Sequence, residues 1–235
     1  MNRKKLLITA IVLILVLAIG GILAYFTDVQ TRINKFKTAK VEILVEEPSW
    51  PGNPVPNPEY DPDNPKPNVP ETIEPEVPVT PGQEIPKDPQ VTNKGDGKVY
   101  AFVEVVIPVK NVLIGDASTA APTELFTFVK ADGTQGINAG WTQISKTPET
   151  ISTTTTSVTY VFAYGSATEL TELDTNETTV TPVFSKVKFA DVTERDFNSE
   201  SEIQGKSFDV AVKGYGIQVE GISSKVPATV WPNVK

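Results

Sequence analysis

The chain has no Cys and no His, so its reactive side chains are carboxylates, hydroxyls, amines and amides. That composition removes structural disulfides, zinc sites built on thiolate or imidazole, and every Ser-His or Cys-His nucleophile pair. What remains is mostly acid. The densest group, Asp191, Glu194, Asp196, Glu200 and Glu202, offers hard oxygen ligands of the kind Ca²⁺ takes. Its spacing fits no EF-hand loop and no Gly stands where the loop must turn, so the group reads as a solvated acidic face and no metal is assigned. Asp61, Asp63 and Asn64 are as close together, but the prolines around them fix that backbone for other reasons. No two of the 29 acids are marked as a glycosidase pair, although any two can converge in a fold. Gly95-Asp96-Gly97-Lys98 lacks the phosphate-loop spacing and reads as a turn. The Thr-rich run Ile151–Ser157 reads as a strand edge, and the widely spaced Trp50, Trp141 and Trp231 as packing residues. No catalytic or cofactor-binding residue is assigned, and the expectation is that the protein is not an enzyme.

The elements that would carry these residues are strands. Phe36–Glu46 puts Val41, Ile43 and Val45 on one face, and Lys98–Val109 alternates Val99, Ala101, Val103, Val105 and Ile107. Further strands are expected at Leu125–Val129, Ile151–Tyr164, Val180–Phe189 and Ser207–Val219, with Ala190–Glu202 and Ala167–Asp174 as short helix or loop. Asn93–Gly97, Asp132-Gly133, Asn138–Gly140 and Gly214-Tyr215-Gly216 read as turns. Seven or eight strands without long helices predict an all-β fold, a jelly-roll-like or Ig-like two-sheet sandwich.

Two segments stand apart from that pattern. Arg3, Lys4 and Lys5 precede an apolar run from Leu6 to Phe26, the pattern expected of an export signal, with a cleavage point expected between Ala24 and Tyr25. An uncleaved anchor is the alternative, since about 20 apolar residues can cross a bilayer. Removal of residues 1–24 leaves 18 basic against 29 acidic residues, a net charge of −11. An acidic chain of this kind disfavours nucleic acid as a partner, and contact with membrane is expected only through the signal segment. Between Pro48 and Pro89 stand fourteen of the twenty prolines. Such density forbids helix and central strand and predicts an extended linker or projecting loop. The resulting organisation is a signal peptide (1–24), an N-terminal strand segment (25–47), a Pro-rich linker or loop (48–89) and a sandwich body (90–235).

The order of four short motifs resembles a known family. They are Ala24-Tyr25-Phe26-Thr27-Asp28 with Asn34–Ile43; Val79-Thr80-Pro81-Gly82-Gln83-Glu84-Ile85; Val91–Gly95 with Tyr100-Ala101-Phe102-Val103; and Val210–Gln218. Together they resemble the TasA/camelysin family, Gram-positive proteins processed by a SipW-type signal peptidase. The Pro-rich insertion departs from the family's pattern, and the metalloprotease activity ascribed to camelysin finds no His-Glu-x-x-His here. The resemblance implies a jelly-roll-like sandwich, secretion to the extracellular matrix or cell surface, and a fibre subunit of the biofilm matrix. Its partners would be other copies of itself or related subunits, joined by a donated strand. The residues expected to enter a neighbour are Tyr25, Phe26, Val29, Ile33 and Phe36, in the strand-addition mode of recognition. Folding of that segment back onto its own sandwich is the competing outcome. Two other readings stay open: a membrane-tethered surface protein with a Pro-rich stalk, and a secreted carboxylate-based hydrolase or carbohydrate-binding module.

Overall fold

A computed structural model describes residues 40–64, 66, 69–193 and 203–234. In chain order its strands are β1 (Ile43–Glu46), β2 (Val55–Pro56), β3 (Thr72–Ile73), β4 (Glu84–Pro86), β5 (Gln90–Asn93), β6 (Val99–Val112) and β7 (Ala121–Glu124). There follow β8 (Phe126–Val129), β9 (Trp141–Thr147), β10 (Ser157–Tyr164), β11 (Glu172–Leu173), β12 (Lys186–Phe189) and β13 (Ala211–Gln218). A single helical turn α1 (Pro227–Val230) and a 3₁₀ turn at Trp231–Asn233 come last. The fold is all-β and sandwich-like.

Strand β6 organises the molecule. Its Val, Tyr, Phe and Ile residues suit a pleated surface buried on both faces. One side of β6 pairs with β10 and β11, and β9 continues that sheet beyond β10; β13 and then β7 also pair with β6, all antiparallel. Pro108 interrupts β6 where its partner changes from β13, which reaches Val106, to β7, which begins at Val109. Leu125 gives its N–H to the Pro108 carbonyl, and the Leu125 carbonyl accepts from Ala190 because Pro108 has no N–H to offer. The chain therefore turns at buried Leu125 from the main sheet, where β7 lies, into the second sheet, β4-β12-β8.

Between the two sheets lies one core. Phe128 sits at its centre, stacked on Phe184 at 4.6 Å and meeting Tyr160 and Phe162 edge-on at 5.1 and 5.4 Å. Each fully buried side chain of this size contributes about 2–3 kcal/mol. The opposite face of the main sheet is covered by the C-terminal segment. There Tyr100, Phe102, Ala163, Leu170 and Val230 form a second cluster, and Trp231 packs on Phe102 and Tyr215 at 5.4 and 5.3 Å.

Several expected elements are displaced. β10 begins at Ser157, because Ser152 and Thr155 bond each other in a turn: the Thr155 N–H donates to the Ser152 carbonyl and the Ser152 N–H to Thr155 Oγ1. The Thr-rich run is thus mostly turn rather than strand. Gly214-Tyr215-Gly216, read from sequence as a turn, lies in the middle of β13. Within the Pro-rich insertion, β2 and β3 pair with each other, and Asn57 bonds Glu71 and Pro70 through its backbone and side chain. Its two ends meet. Lys87 Nζ lies 2.8 Å from Glu47 Oε2 and 4.6 Å from the centre of the Trp50 ring, while the Ser49 N–H donates to Asp88 Oδ1 at 2.8 Å.

Candidate functional site

The site begins with two glycines. In β13, Val212, Gly214 and Gly216 share the face turned towards the core, and a Cβ on Gly214 or Gly216 would collide with Val45 or Ile43. β1 lies there, its row of Val41, Ile43 and Val45 seated on the bare backbone of β13 as far as Gly214. Glycine in a strand interior weakens it unless another chain approaches closely, and here one does. β1 is itself held by β5, with Ile43 opposite Asn93 and Glu46 opposite Gln90. Lys94 and Asp96 donate to the Glu42 and Lys40 carbonyls, so the even-numbered residues of β1 face β5. By alternation the N–H and C=O groups of Val41, Ile43 and Val45 point to the other side, where no strand pairs among the described residues.

Hydrogen-bond parity exposes β13 in the same way. The Val219 N–H donates to Lys98, so the odd-numbered residues of β13 face β6 and Val212, Gly214, Gly216 and Gln218 present their backbone groups outward. Among the described residues no strand takes them. Beyond Val45 the face of β13 is uncovered, and two adjoining cavities of about 990 and 550 Å³ share Lys87 and Val210 in their walls. The larger reaches inward to Ile85, Phe126, Val187 and Phe189, all core residues of the second sheet, so this is an opening into the sandwich itself. Its far wall is β4, the edge of the second sheet. Gln83 and Lys87 bond the facing strand, which leaves Glu84 and Pro86 turned outward, and Pro86 has no N–H to give.

Charge surrounds the opening. Glu46 and Glu47 line the smaller cavity, and Glu74, Glu76 and Asp209 the larger. Glu47 Oε2 is paired with Lys87, but its Oε1 is buried with no hydrogen-bond partner among the described residues. An unsatisfied carboxylate oxygen in an opening is a place for an incoming donor.

A second titratable cluster lies elsewhere. Tyr160 donates its hydroxyl to Glu124 at 2.7 Å and Lys146 contacts the same carboxylate at 2.9 Å. Burial, with the hydrogen bond to Glu124, pushes the Tyr160 phenol up to about 12, so it stays neutral and acts as a donor only. The cluster ties β7 to β9 and β10.

Ala24, Tyr25, Phe26, Val29, Ile33 and Phe36 lie outside the described residues, as do Glu194, Asp196, Glu200 and Glu202. Asp191 is exposed, and no group of acids suited to a metal ion occurs among the described residues. Trp141 is buried and donates to the Thr181 carbonyl, Trp50 stands over Lys87, and Trp231 belongs to the C-terminal cluster, so the three form no common platform. No helix among the described residues is long and apolar enough to cross a membrane. The sequence reading missed the opening beside β13; its one available signal was a pair of glycines at period-two spacing inside an apolar strand. No family model matches the chain, no curated protein does, and no solved structure does.

Proposed function

We propose that this protein is an exported structural subunit of extracellular fibres, of the TasA/camelysin kind, and that copies join when the segment Tyr25–Phe36 of one enters the opening beside β13 of the next. The observation that carries the reading is the outward edge of β13, unpaired among the described residues, which at Val212 borders the smaller cavity, itself adjoining the larger one that reaches the core. An incoming strand would gain a ladder worth about 0.5–1.5 kcal/mol per hydrogen bond and would bury its apolar side chains at about 25 cal/mol per Å². Tyr25, Phe26, Val29, Ile33 and Phe36 supply such side chains.

Charge supports the same occupant. Tyr25–Phe36 carries Arg32 and Lys35 against one acid, Asp28, and the walls of the opening carry Glu46, Glu47, Glu74, Glu76 and Asp209 against Lys87 and Lys206. Work of this kind is cohesive, and it uses no metal, cofactor or reacting group.

The test is negative-stain microscopy of the exported protein and two variants. Deleting residues 25–36 should abolish filaments while the circular dichroism of the sandwich persists. Val212→Pro removes one outward N–H and leaves the ladder to β6 intact, so it should cut filament growth at least tenfold with the fold retained. Filaments from the deletion variant would overturn strand donation, and undiminished growth of Val212→Pro would overturn β13 as the acceptor.

A further inference from the structure

The Pro-rich insertion re-enters the molecule through the opening. Residues 74–79 form part of its wall, with Pro75, Val77 and Val79 half-buried and Glu74, Glu76 and Pro78 exposed. Val77 and Val79 pack on the core of the sandwich. The segment therefore has the alternation of a strand, yet among the described residues it pairs with none and no ladder hydrogen bond joins residues 74–79 to a neighbouring edge. Proline accounts for this. Backbone groups alternate between the two edges of an extended segment, and Pro75 and Pro78, three residues apart, remove a donor from each.

We propose that residues 74–79 are a built-in cover for the opening beside β13, held by side chains alone and displaced when a strand from a second copy enters. This rests on the strand-addition reading above and adds its regulation. Without an occupant the core residues Ile85, Val187 and Phe189 would face water through the opening. Val77 and Val79 cover part of that surface. A segment able to pair fully would compete with the incoming strand on equal terms, whereas one that lacks the ladder gives way to a strand that has it. Its departure need not disturb the fold. Upstream, Glu47, Lys87 and Trp50 pin the root of the insertion, and downstream the Thr80–Gln83 turn is closed by its own hydrogen bonds. Residues 74–79 can swing out between these anchors with the β2–β3 arm.

The absence of cysteine from the chain makes the test clean, since a thiol introduced at one position is the only one present. In the full chain, Val77→Cys should be alkylated slowly in the monomer and at least tenfold faster once filaments form, while Val55→Cys at the exposed β2–β3 arm should react at one rate throughout. Two further variants move assembly in opposite directions. Val77→Ser with Val79→Ser should shorten the lag of filament growth, and Pro75→Ala with Pro78→Ala, which restores both donors, should lengthen it. If filaments form but the thiol reactivity of Val77→Cys stays constant, or the two double variants assemble at the wild-type rate, the displaceable cover is wrong and strand addition stands. If the full chain forms no filaments under any condition, both ideas fall together.

Discussion

The two faces of β13 are covered in opposite ways. Outward, Tyr215 and Ile217 are packed beneath the C-terminal segment, with Trp231 wedged between Phe102 and Tyr215. Inward, the same strand carries Val212 and two glycines, with Val210 just before it, and is covered by β1 over part of its length and bordered by a cavity at Val212. One face is filled by large aromatics from its own chain, the other by small residues that leave room. The difference teaches that β13 is held by β6 along one edge and by the C-terminal segment on one face, while the other face is only partly covered.

The comparison can be broken first at the filled face. Phe102→Ala empties the space under Trp231 at a fully buried position and should cost about 3–5 kcal/mol by urea denaturation. A loss below about 1 kcal/mol would mean that the C-terminal segment does not anchor the strand. At the open face, Lys87→Ala leaves Glu47 buried beside the smaller cavity without its cation and removes the contact with Trp50. Breaking a largely buried pair predicts a loss of about 3 kcal/mol, and limited proteolysis should then cut the insertion near its root. Gly214→Val should cost about 2 kcal/mol, because the new side chain meets Val45 and must lift β1 from β13. Faster amide exchange in β1 and β5, with β6 and β10 unchanged, is the expected pattern; uniform loss of protection would contradict it.

Tyr160→Phe lies away from both faces and gives the smallest effect, about 1.5 kcal/mol for one hydrogen bond to a carboxylate. It also carries a pH signature. The phenol titrates near 10 when unfolded and at about 12 when folded, so its contribution is complete below pH 10 and is lost between pH 10 and 12 as the unfolded state releases its proton first. The variant should lack that component of alkaline destabilisation. An identical alkaline profile would place the ionisation elsewhere.

The apolar alternation of β6, β10 and β13 was legible in the sequence because side-chain periodicity records which face meets a core. β9 was not, since Trp141–Thr147 mixes Thr, Gln, Ser and Lys with its apolar residues. Pro227–Asn233 was not, because so short a helical turn has no period to read. Gly214-Tyr215-Gly216 was misread for a physical reason: glycine permits a tight turn and also permits a second chain to lie on a strand, and only the neighbour distinguishes them. The opening itself has no local signature, since its walls come from residues 45–48, 74–87 and 203–212.

By itself the sequence determined that the body is built of strands, that no thiol or imidazole chemistry is present, and that residues 48–89 cannot be helix. These follow from side-chain type and from dihedral limits that act within a few residues. Tertiary structure alone decided that the ends of the Pro-rich insertion meet at Glu47 and Lys87, and that the outward edge of β13 has no partner among the described residues. Whether a backbone group is satisfied depends on what stands 3 Å away in space, and in this fold that neighbour lies many tens of residues away along the chain.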